Sequence, residues 1–290
     1  MTVLEGIQKS AEFLARKKIE PARLQAELLL ASILKLPRMK LYLNFDRVLT
    51  MLEVDSLRDA VRRRGQHEPT QHIIGSACFC GTEFTINRNA LVPRPETELL
   101  AEAGWSFLST HNSESLTALD IGTGTGCIAI TLVIKCPNLS VLASDISFEA
   151  LDLAKQNATI HNVGQRIEFI QSNAFGALPS IQKFDLIISN PPYIPTSEIE
   201  TLQPEVREFD PHVALDGGAD GLDFYRRFAL EAMPFLKPHG KIMLEFGDGQ
   251  ADAVREIFEN QNWIVEAINE DYTRQPRIFI AKLQPSAHHD

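Results

Sequence analysis

The sequence predicts an α/β fold built on a doubly wound sheet of seven strands, preceded by a small all-α N-terminal domain and a β-hairpin linker. Residues 1–66 repeat apolar side chains at helical spacing, and residues 67–91 hold two short apolar segments around a glycine. From residue 116 onward, strand-like and helix-like segments alternate, which is typical of a mainly parallel sheet with helices on both faces. The predicted domain boundaries are therefore 1–66, 67–91 and 92–290.

The N-terminal domain is predicted from apolar stripes between polar residues. In the first helix, apolar residues recur between Leu4 and Leu14 at intervals of three and four. Pro21 suits the first turn of a second helix, because its missing N–H is not needed there. A third helix ends in the run 62–64 of three arginines followed by Gly65, which is ordinary helix-stop chemistry. A nucleic-acid patch is the alternative for these arginines, and the sequence favours the helix end.

The linker and the sheet follow in order. Phe79 and Phe84 flank Gly81, which indicates a short hairpin, and Pro95 then opens a helix. The predicted strands are Thr117–Ile121, Val141–Ser144, Ile167–Gln171, Leu186–Ser189, Lys241–Phe246, Trp263–Asn269 and Ile278–Lys282. The predicted helices between them are Cys127–Lys135, Phe148–Ile160, Leu222–Leu236 and Ala251–Asn260. No helix separates the last two strands, so we expect an antiparallel pair there, and we expect disorder after Leu283.

The charge balance argues against a protein that coats duplex DNA. Lys and Arg total 28 and Asp and Glu total 38, so the formal net charge is −10, whereas such proteins cluster basic residues against phosphates. The cysteines at 78, 80, 127 and 136 lack a metal-ligand spacing, so we expect reduced thiols and no metal. No apolar stretch is long enough to span a membrane and no signal peptide is recognisable, so we expect a cytoplasmic protein.

A glycine-rich loop follows the first strand of the sheet. Glycines at a strand-to-helix turn let the backbone approach a ligand, and the helix N-terminus offers free N–H groups. A P-loop would end in Gly-Lys-Ser/Thr, and a dinucleotide fingerprint would place its third glycine later. The Gly-x-Gly-x-Gly spacing instead resembles the first motif of S-adenosylmethionine-dependent methyltransferases. It predicts cofactor contacts by Gly122, Thr123, Gly124, Thr125 and Gly126.

Four further residues are candidates for the cofactor site. Asp145 ends the next strand, where an acid can hold both ribose hydroxyls; its alternative role, capping the following helix, can be filled by Ser147. Asp120 precedes the loop. In the methyltransferases that the loop resembles, an acid here faces the methionine end of the cofactor, and the alternative is a carboxylate that stabilises the turn. Asn173 and Phe175 follow the third strand and are expected to touch the adenine.

The tetrapeptide Asn190–Tyr193 indicates the chemistry. The acceptor would be a planar NH2 group whose lone pair is delocalised, and two hydrogen-bond acceptors would orient it and stabilise its developing positive charge. The side-chain oxygen of Asn190 and the carbonyl of Pro191 are those acceptors, and Pro191 and Pro192 fix φ. Tyr193 would stack on the substrate. If the first and fourth strands are neighbours, Asn190 faces the methyl donor. A plain proline-rich turn is the alternative, but it leaves Asn190 and Tyr193 unexplained.

The tetrapeptide and three further motifs together make the chain resemble a known family over nearly its whole length. This family is the peptide chain release factor N5-glutamine methyltransferases, the HemK-type family. These motifs are Pro93-Arg94-Pro95-Glu96-Thr97-Glu98, Glu205-Val206-Arg207-Glu208-Phe209-Asp210-Pro211 and Ala214-Leu215-Asp216-Gly217-Gly218-Ala219-Asp220-Gly221-Leu222. The tetrapeptide alone is shared with adenine and cytosine amino-methyltransferases, whereas the first and third of these motifs are more selective.

The resemblance implies methyl transfer from S-adenosyl-L-methionine, leaving S-adenosyl-L-homocysteine, to the glutamine side-chain nitrogen of the Gly-Gly-Gln motif in class I release factors. The helical domain would help to hold that partner. An adenine amino-methyltransferase acting on nucleic acid is the alternative; it would need a target-recognition domain and a basic groove. A non-enzymatic scaffold is a third possibility, and it gives Asn190 and Tyr193 no role. We expect no stable binding of nucleic acid and no membrane association.

Overall fold

The computed structural model describes residues 1–111 and 113–284, and these form two units. The helical unit contains Met1–Ser76 and, from much later in the chain, Gln203–Phe209. The sheet unit contains Ala77–Leu202 and the chain from Asp210 onward. Of the predicted disordered tail, residues 285–290 lie outside the described residues. The predicted boundaries at 66 and 91 stay predictions.

The helical unit consists of α1 (Val3–Arg16), α2 (Ala22–Leu34), α3 (Met51–Arg64), α4 (Thr70–Ile74) and the short helix Pro204–Arg207, which is α8 in chain order. Capping boxes begin α1 and α3. Thr2 accepts from the backbone of Glu5, whose carboxylate accepts in return, and Thr50 and Glu53 do the same. The buried stripes of these helices meet in one apolar cluster that includes Leu14, Leu30 and Leu57.

The arginine run at the end of α3 is neutralised within this unit. Arg62 pairs with Asp59, and Arg63 forms two hydrogen bonds with Glu68. Arg64, whose side chain is only 4% exposed, pairs with Glu205 at 2.6 Å. These pairs support the helix-end interpretation of the run.

The sheet unit begins with a hairpin and continues as alternating strands and helices. Its elements are β1 (Ser76–Phe79), β2 (Thr82–Thr85), α5 (Pro95–Ser109), β3 (Leu116–Ile121), α6 (Cys127–Lys135), β4 (Leu139–Asp145), α7 (Phe148–Ile160), β5 (Ile167–Gln171), β6 (Phe184–Ser189), α9 (Asp223–Glu231), β7 (Leu236–Glu245), α10 (Ala251–Glu259), β8 (Trp263–Glu270) and β9 (Pro276–Leu283). Within the described residues, no helix has both the length and the apolar character needed to cross a membrane.

The large sheet has seven strands in the order β5-β4-β3-β6-β7-β9-β8. The first five are parallel, while β9 runs antiparallel to both of its neighbours, β7 and β8. This confirms the predicted fold class and the antiparallel end. Along β6, Leu186 and Ile188 pack into one apolar cluster and Phe184 and Ile187 into another, so both faces of the sheet are buried.

One predicted helix is too long. The sequence predicts a helix over Leu222–Leu236, but α9 ends at Glu231 and a 3₁₀ turn covers Met233–Phe235. Pro234 is the reason, because it has no N–H to donate and its ring clashes with the carbonyl four residues earlier. Strand β7 then begins at Leu236, five residues before the predicted start at Lys241.

Candidate active site

A cavity of about 420 Å³ opens in the sheet unit beyond the carboxyl ends of β3, β4 and β6. Strands β3 and β6 are hydrogen-bonded neighbours, and the order of strands along the chain reverses between them, which is where doubly wound sheets bind ligands. Nine of the predicted site residues line the cavity: Gly122, Thr123, Gly124, Thr125, Asp145, Asn173, Asn190, Pro191 and Pro192. Four do not: Asp120, Gly126, Phe175 and Tyr193.

The glycine loop lies between β3 and α6 and is held by its own backbone. The N–H groups of Gly122 and Thr123 both donate to the carbonyl of Ser144, at 2.8 and 2.9 Å. Gly122 has φ +71° and no neighbouring atom where a Cβ would stand, so its open side faces the cavity. Gly126 has φ +81°, and a Cβ there would come within 3.1 Å of Ala154 on α7. The first glycine leaves room for a ligand, and the third lets the loop pack against a helix.

Asp145 ends β4 and lines the cavity beside the loop. Its Oδ2 accepts from the backbone of Gly124 at 2.9 Å, and its Oδ1 accepts from the backbone of Ser147 at 2.9 Å. Ser147 is the residue that caps α7, since its hydroxyl accepts from the backbone of Ala150. Burial raises the pKa of the Asp145 carboxyl, and the backbone hydrogen bonds oppose that shift. The proposed ribose contact of Asp145 stays a prediction.

Asp120 lies beneath the loop, fully buried. Its Oδ2 accepts from the hydroxyl of Thr123 at 2.7 Å and from the backbone of Ala129 at 3.2 Å, so it ties the loop to α6. Its Oδ1 has no hydrogen-bond partner within residues 1–111 and 113–284. Burial raises the pKa of this carboxyl to about 7. The contacts are those of the turn-stabilising alternative, and a cofactor contact stays a prediction.

The two candidates that follow β5 separate in the structure. Asn173 lines the cavity, and its Oδ1 accepts from the guanidinium of Arg227 at 2.6 Å. Phe175 is buried and stacks on Phe235 with ring centroids 5.4 Å apart. The sequence analysis missed Ile146, which lines the same cavity and is 46% exposed. The sequence did offer one signal for Ile146, namely its position directly after Asp145, the acid that ends β4.

The tetrapeptide is positioned by the end of β6. The hydroxyl of Ser189 donates to the carbonyl of Ile121 at 2.6 Å, so the end of β6 is joined to the end of β3. Asn190 therefore enters the cavity beside the glycine loop, and its Nδ2 donates to the hydroxyl of Thr97 at 3.0 Å. The side chain of Tyr193 turns away, and its Oη lies 3.5 Å from a carboxylate oxygen of Glu245.

Two motifs that the sequence analysis left without firm roles surround the tetrapeptide. In the first, Arg94 pairs with the buried Asp210 at 2.6 Å. In the same motif Thr97, not a candidate from sequence, contacts Asn190 and also donates to Glu245 at 2.7 Å. In the third motif, a Cβ at Gly221 would stand 2.3 Å from the carbonyl of Tyr193, so only glycine allows this close approach. The described residues contain no group of His, Cys, Asp and Glu side chains suited to a metal ion.

Comparison with known proteins agrees with this geometry. Residues 5–75 match the family model described as "PrmC N-terminal domain", and residues 98–204 match "Methyltransferase small domain". A release factor glutamine methyltransferase from Geobacter sulfurreducens is 42% identical over 89% of this chain and 88% of its own length. One from Chlorobaculum tepidum is 40% identical over 95% of both chains.

The chain also has solved structural neighbours. The T. thermophilus 16S rRNA N2 G1207 methyltransferase, solved in complex with AdoMet and guanosine, matches with a TM-score of 0.51 at 17% identity, covering 72% of this chain and 50% of that one. At this identity the likeness concerns the fold alone. The sequence relatives are far more similar, and they extend over both units. They confirm the resemblance drawn from the motifs: this chain belongs to the family of release factor glutamine methyltransferases.

Proposed function

We propose that this protein transfers a methyl group from S-adenosyl-L-methionine to the side-chain amide nitrogen of the glutamine in the Gly-Gly-Gln motif of class I peptide chain release factors. The observation that carries this proposal is the position of Asn190. Its amide lies in the same cavity as the glycine loop, across the boundary between β6 and β3. A methyl donor held by the loop and a planar amide held by Asn190 would therefore meet.

Three features of the cavity support S-adenosyl-L-methionine as the methyl donor. The open space at Gly122 accepts a ligand against the backbone, and Asp145 offers a carboxylate at the end of the second strand of the sheet. Asn173, which follows the third strand, supplies an amide, and the apolar side chain of Ile146 lines the same cavity. When bound, the donor supplies a methyl group on an already activated sulfonium. The chain's own residues need only orient the acceptor.

The acceptor nitrogen is proposed to lie between two oxygens. The Oδ1 of Asn190 and the carbonyl of Pro191 would each accept one N–H of the glutamine amide. This arrangement stabilises the positive charge that develops as the nitrogen attacks. Because Pro191 and Pro192 have no N–H and a fixed φ, they do not compete for the acceptors. Stacking by Tyr193, whose side chain turns toward Glu245, remains part of the proposal.

The helical unit is the proposed contact for the folded partner. Five of its apolar side chains are between 65% and 82% exposed, all within residues 39–52: Met39, Leu43, Val48, Met51 and Leu52. Such a concentration of exposed apolar residues is typical of protein-binding surfaces. Because release factors act during translation, we propose that the reaction takes place in the cytoplasm.

The test is methyl incorporation by the full-length protein from labelled donor. The acceptors are an intact class I release factor, the same factor with its Gly-Gly-Gln glutamine replaced by asparagine, the isolated loop peptide, and duplex DNA. Only the intact factor should be labelled efficiently, with the peptide much poorer because it offers the helical unit nothing to bind. If the DNA is labelled and the factor is not, the adenine methyltransferase takes the place of this proposal.

A further inference from the structure

A buried chain of hydrogen bonds runs from Asn190 through Thr97, which also lines the cavity, to Glu245, which does not. The Nδ2 of Asn190 donates to the hydroxyl of Thr97 at 3.0 Å, and that hydroxyl donates to Oε2 of Glu245 at 2.7 Å. Thr97 on α5 is 3% exposed and Glu245 at the end of β7 is 1% exposed. The other carboxylate oxygen, Oε1, faces the hydroxyl of Tyr193 at 3.5 Å. One carboxylate is thus linked to both polar side chains of the tetrapeptide, to Asn190 through Thr97 and to Tyr193 directly.

The direction of this chain determines which atom of Asn190 faces the cavity. The Thr97 hydroxyl has a single proton and donates it to Oε2 of Glu245, which only accepts hydrogen bonds while it is ionised. The oxygen of Thr97 is then left as an acceptor, and it must receive its second hydrogen bond from an N–H of Asn190. Because an amide is planar, holding Nδ2 against Thr97 turns Oδ1 away from it.

Without this anchor the amide of Asn190 could rotate by half a turn at little steric cost, because its oxygen and nitrogen are nearly the same size. The rotated form presents an NH2 group to the acceptor. Two NH2 groups then face each other, and the developing positive charge loses one of its stabilising oxygens. The orientation of one amide therefore decides whether the site is competent.

We propose that Thr97 and Glu245 are positioning residues that hold the Asn190 amide with its oxygen toward the acceptor nitrogen. This inference rests on the proposed function in one respect, that the acceptor is an NH2 nitrogen. Thr97 and Glu245 touch neither donor nor acceptor in this scheme, and they act only through Asn190.

Thr97→Val is the first variant, because it keeps the shape and removes only the hydroxyl. Its single-turnover methyl transfer should fall by roughly 10- to 100-fold, while the Kd for S-adenosylhomocysteine stays within about threefold. Thr97→Ser, which restores the hydroxyl, should recover most of the rate. Thr131→Val is the matched control: this threonine on α6 is also buried, and its hydroxyl has no hydrogen-bond partner in the part of the chain that the structure describes. It should stay close to wild type.

A double-mutant cycle separates positioning from general support of the fold. In an Asn190→Ala background there is no amide to orient, so adding Thr97→Val should slow the reaction by less than about twofold. Equal losses in both backgrounds would overturn the proposal, and so would a Thr97→Val rate within about twofold of wild type. Glu245→Gln serves if Thr97→Val does not fold. It should slow the wild type, by less than Thr97→Val, and leave Asn190→Ala unchanged.

A second readout needs no methyl acceptor. Hydrogen exchange of the Asn190 side-chain NH2, assigned by its absence in Asn190→Ala, should be at least about tenfold slower in wild type than in Thr97→Val. Equal exchange would overturn the positioning role. If wild type methylates DNA and not the factor, the proposed function fails, while the rate ratios on DNA and the exchange rates still decide the roles of Thr97 and Glu245.

Discussion

The first and third glycines of the loop have different tasks, and alanine substitutions should separate them. At Gly126 the backbone has φ +81°, and an added Cβ would lie 3.1 Å from both Ala154 and Ile130. A non-glycine residue in the left-handed region costs about 1–2 kcal/mol, and overpacking adds about 1–3 kcal/mol. We therefore expect Gly126→Ala to lower the free energy of unfolding by about 3 kcal/mol.

Gly122→Ala should have the opposite effect, a small loss of stability and a large loss of ligand affinity. Its φ is +71° but no atom lies within 4 Å of the added Cβ, so only the backbone term of about 1–2 kcal/mol applies. The new methyl group projects into the cavity that the ligand would occupy. We expect Gly122→Ala to weaken S-adenosylhomocysteine binding at least 30-fold, which corresponds to about 2 kcal/mol. Gly126→Ala, outside the cavity lining, should weaken it by less than about fivefold.

The assays are urea denaturation for stability and titration calorimetry for S-adenosylhomocysteine. Gly164→Ala is the matched control, because its φ is not positive, its Cβ would meet no atom within 4 Å, and it lies outside the cavity lining. It should change stability by less than about 0.5 kcal/mol. The reasoning is refuted if Gly122→Ala is the less stable of the two loop variants, or if it binds S-adenosylhomocysteine as tightly as wild type does.

Three further predictions concern carboxylates and the tetrapeptide. Asp145→Ala should weaken S-adenosylhomocysteine binding by at least about 100-fold in calorimetry, because two charge-assisted hydrogen bonds of roughly 1.5–3 kcal/mol each are lost; unchanged affinity would remove Asp145 from the site. Asn190→Ala should keep that affinity but slow methyl transfer by about 100-fold or more, and a rate within about tenfold of wild type would contradict the two-acceptor mechanism. Burial raises the pKa of Glu245 from 4.5 to about 7, so the folded state holds this proton more tightly than the unfolded chain. The free energy of unfolding should therefore fall by about 3 kcal/mol as pH rises from about 4.5 to about 7, through this group. Glu245→Gln removes that loss, and urea denaturation should show the variant gaining on wild type between about pH 4.5 and about pH 7; a constant difference would mean an ordinary carboxyl pKa.

Much of the sheet unit could be predicted because its signals are local. The sequence predicts α6, α7 and β5 with the bounds that the structure has, since Gly126 and Ser147 mark helix starts within their own turns. The first half of β7 was missed because it contains Pro238 and Gly240, which are unfavourable inside a strand. The structure accommodates them in a bulge, where the register against β6 shifts between Phe184 and Leu186.

The site was predictable to the same extent. Asn190 belongs to a contiguous motif that directly follows a predicted strand, so the sequence alone places it at the end of the sheet. Thr97 contacts Asn190 across 93 positions of sequence, and Glu245 contacts Thr97 across 148 positions. No local sequence pattern predicts contacts over such distances. Glu245 did carry one signal: it is a lone acid within a predicted apolar strand, and a buried acid requires a partner. Phe175 does not line the cavity, because its ring packs against Phe228 and Phe235 instead.

The two-part construction of the helical unit has a consequence for how the protein is made. Gln203–Phe209 completes that unit, yet the whole stretch 77–202 is synthesised before it. On a ribosome the N-terminal helices emerge first. Arg64 is almost wholly buried in the finished protein, but its partner Glu205 emerges only after β6 and the tetrapeptide. Closing so long a loop is slow compared with local helix packing. The first unit to leave the ribosome therefore matures only after β6, and a nascent chain stalled before residue 203 should expose a helix end that a protease or chaperone can recognise.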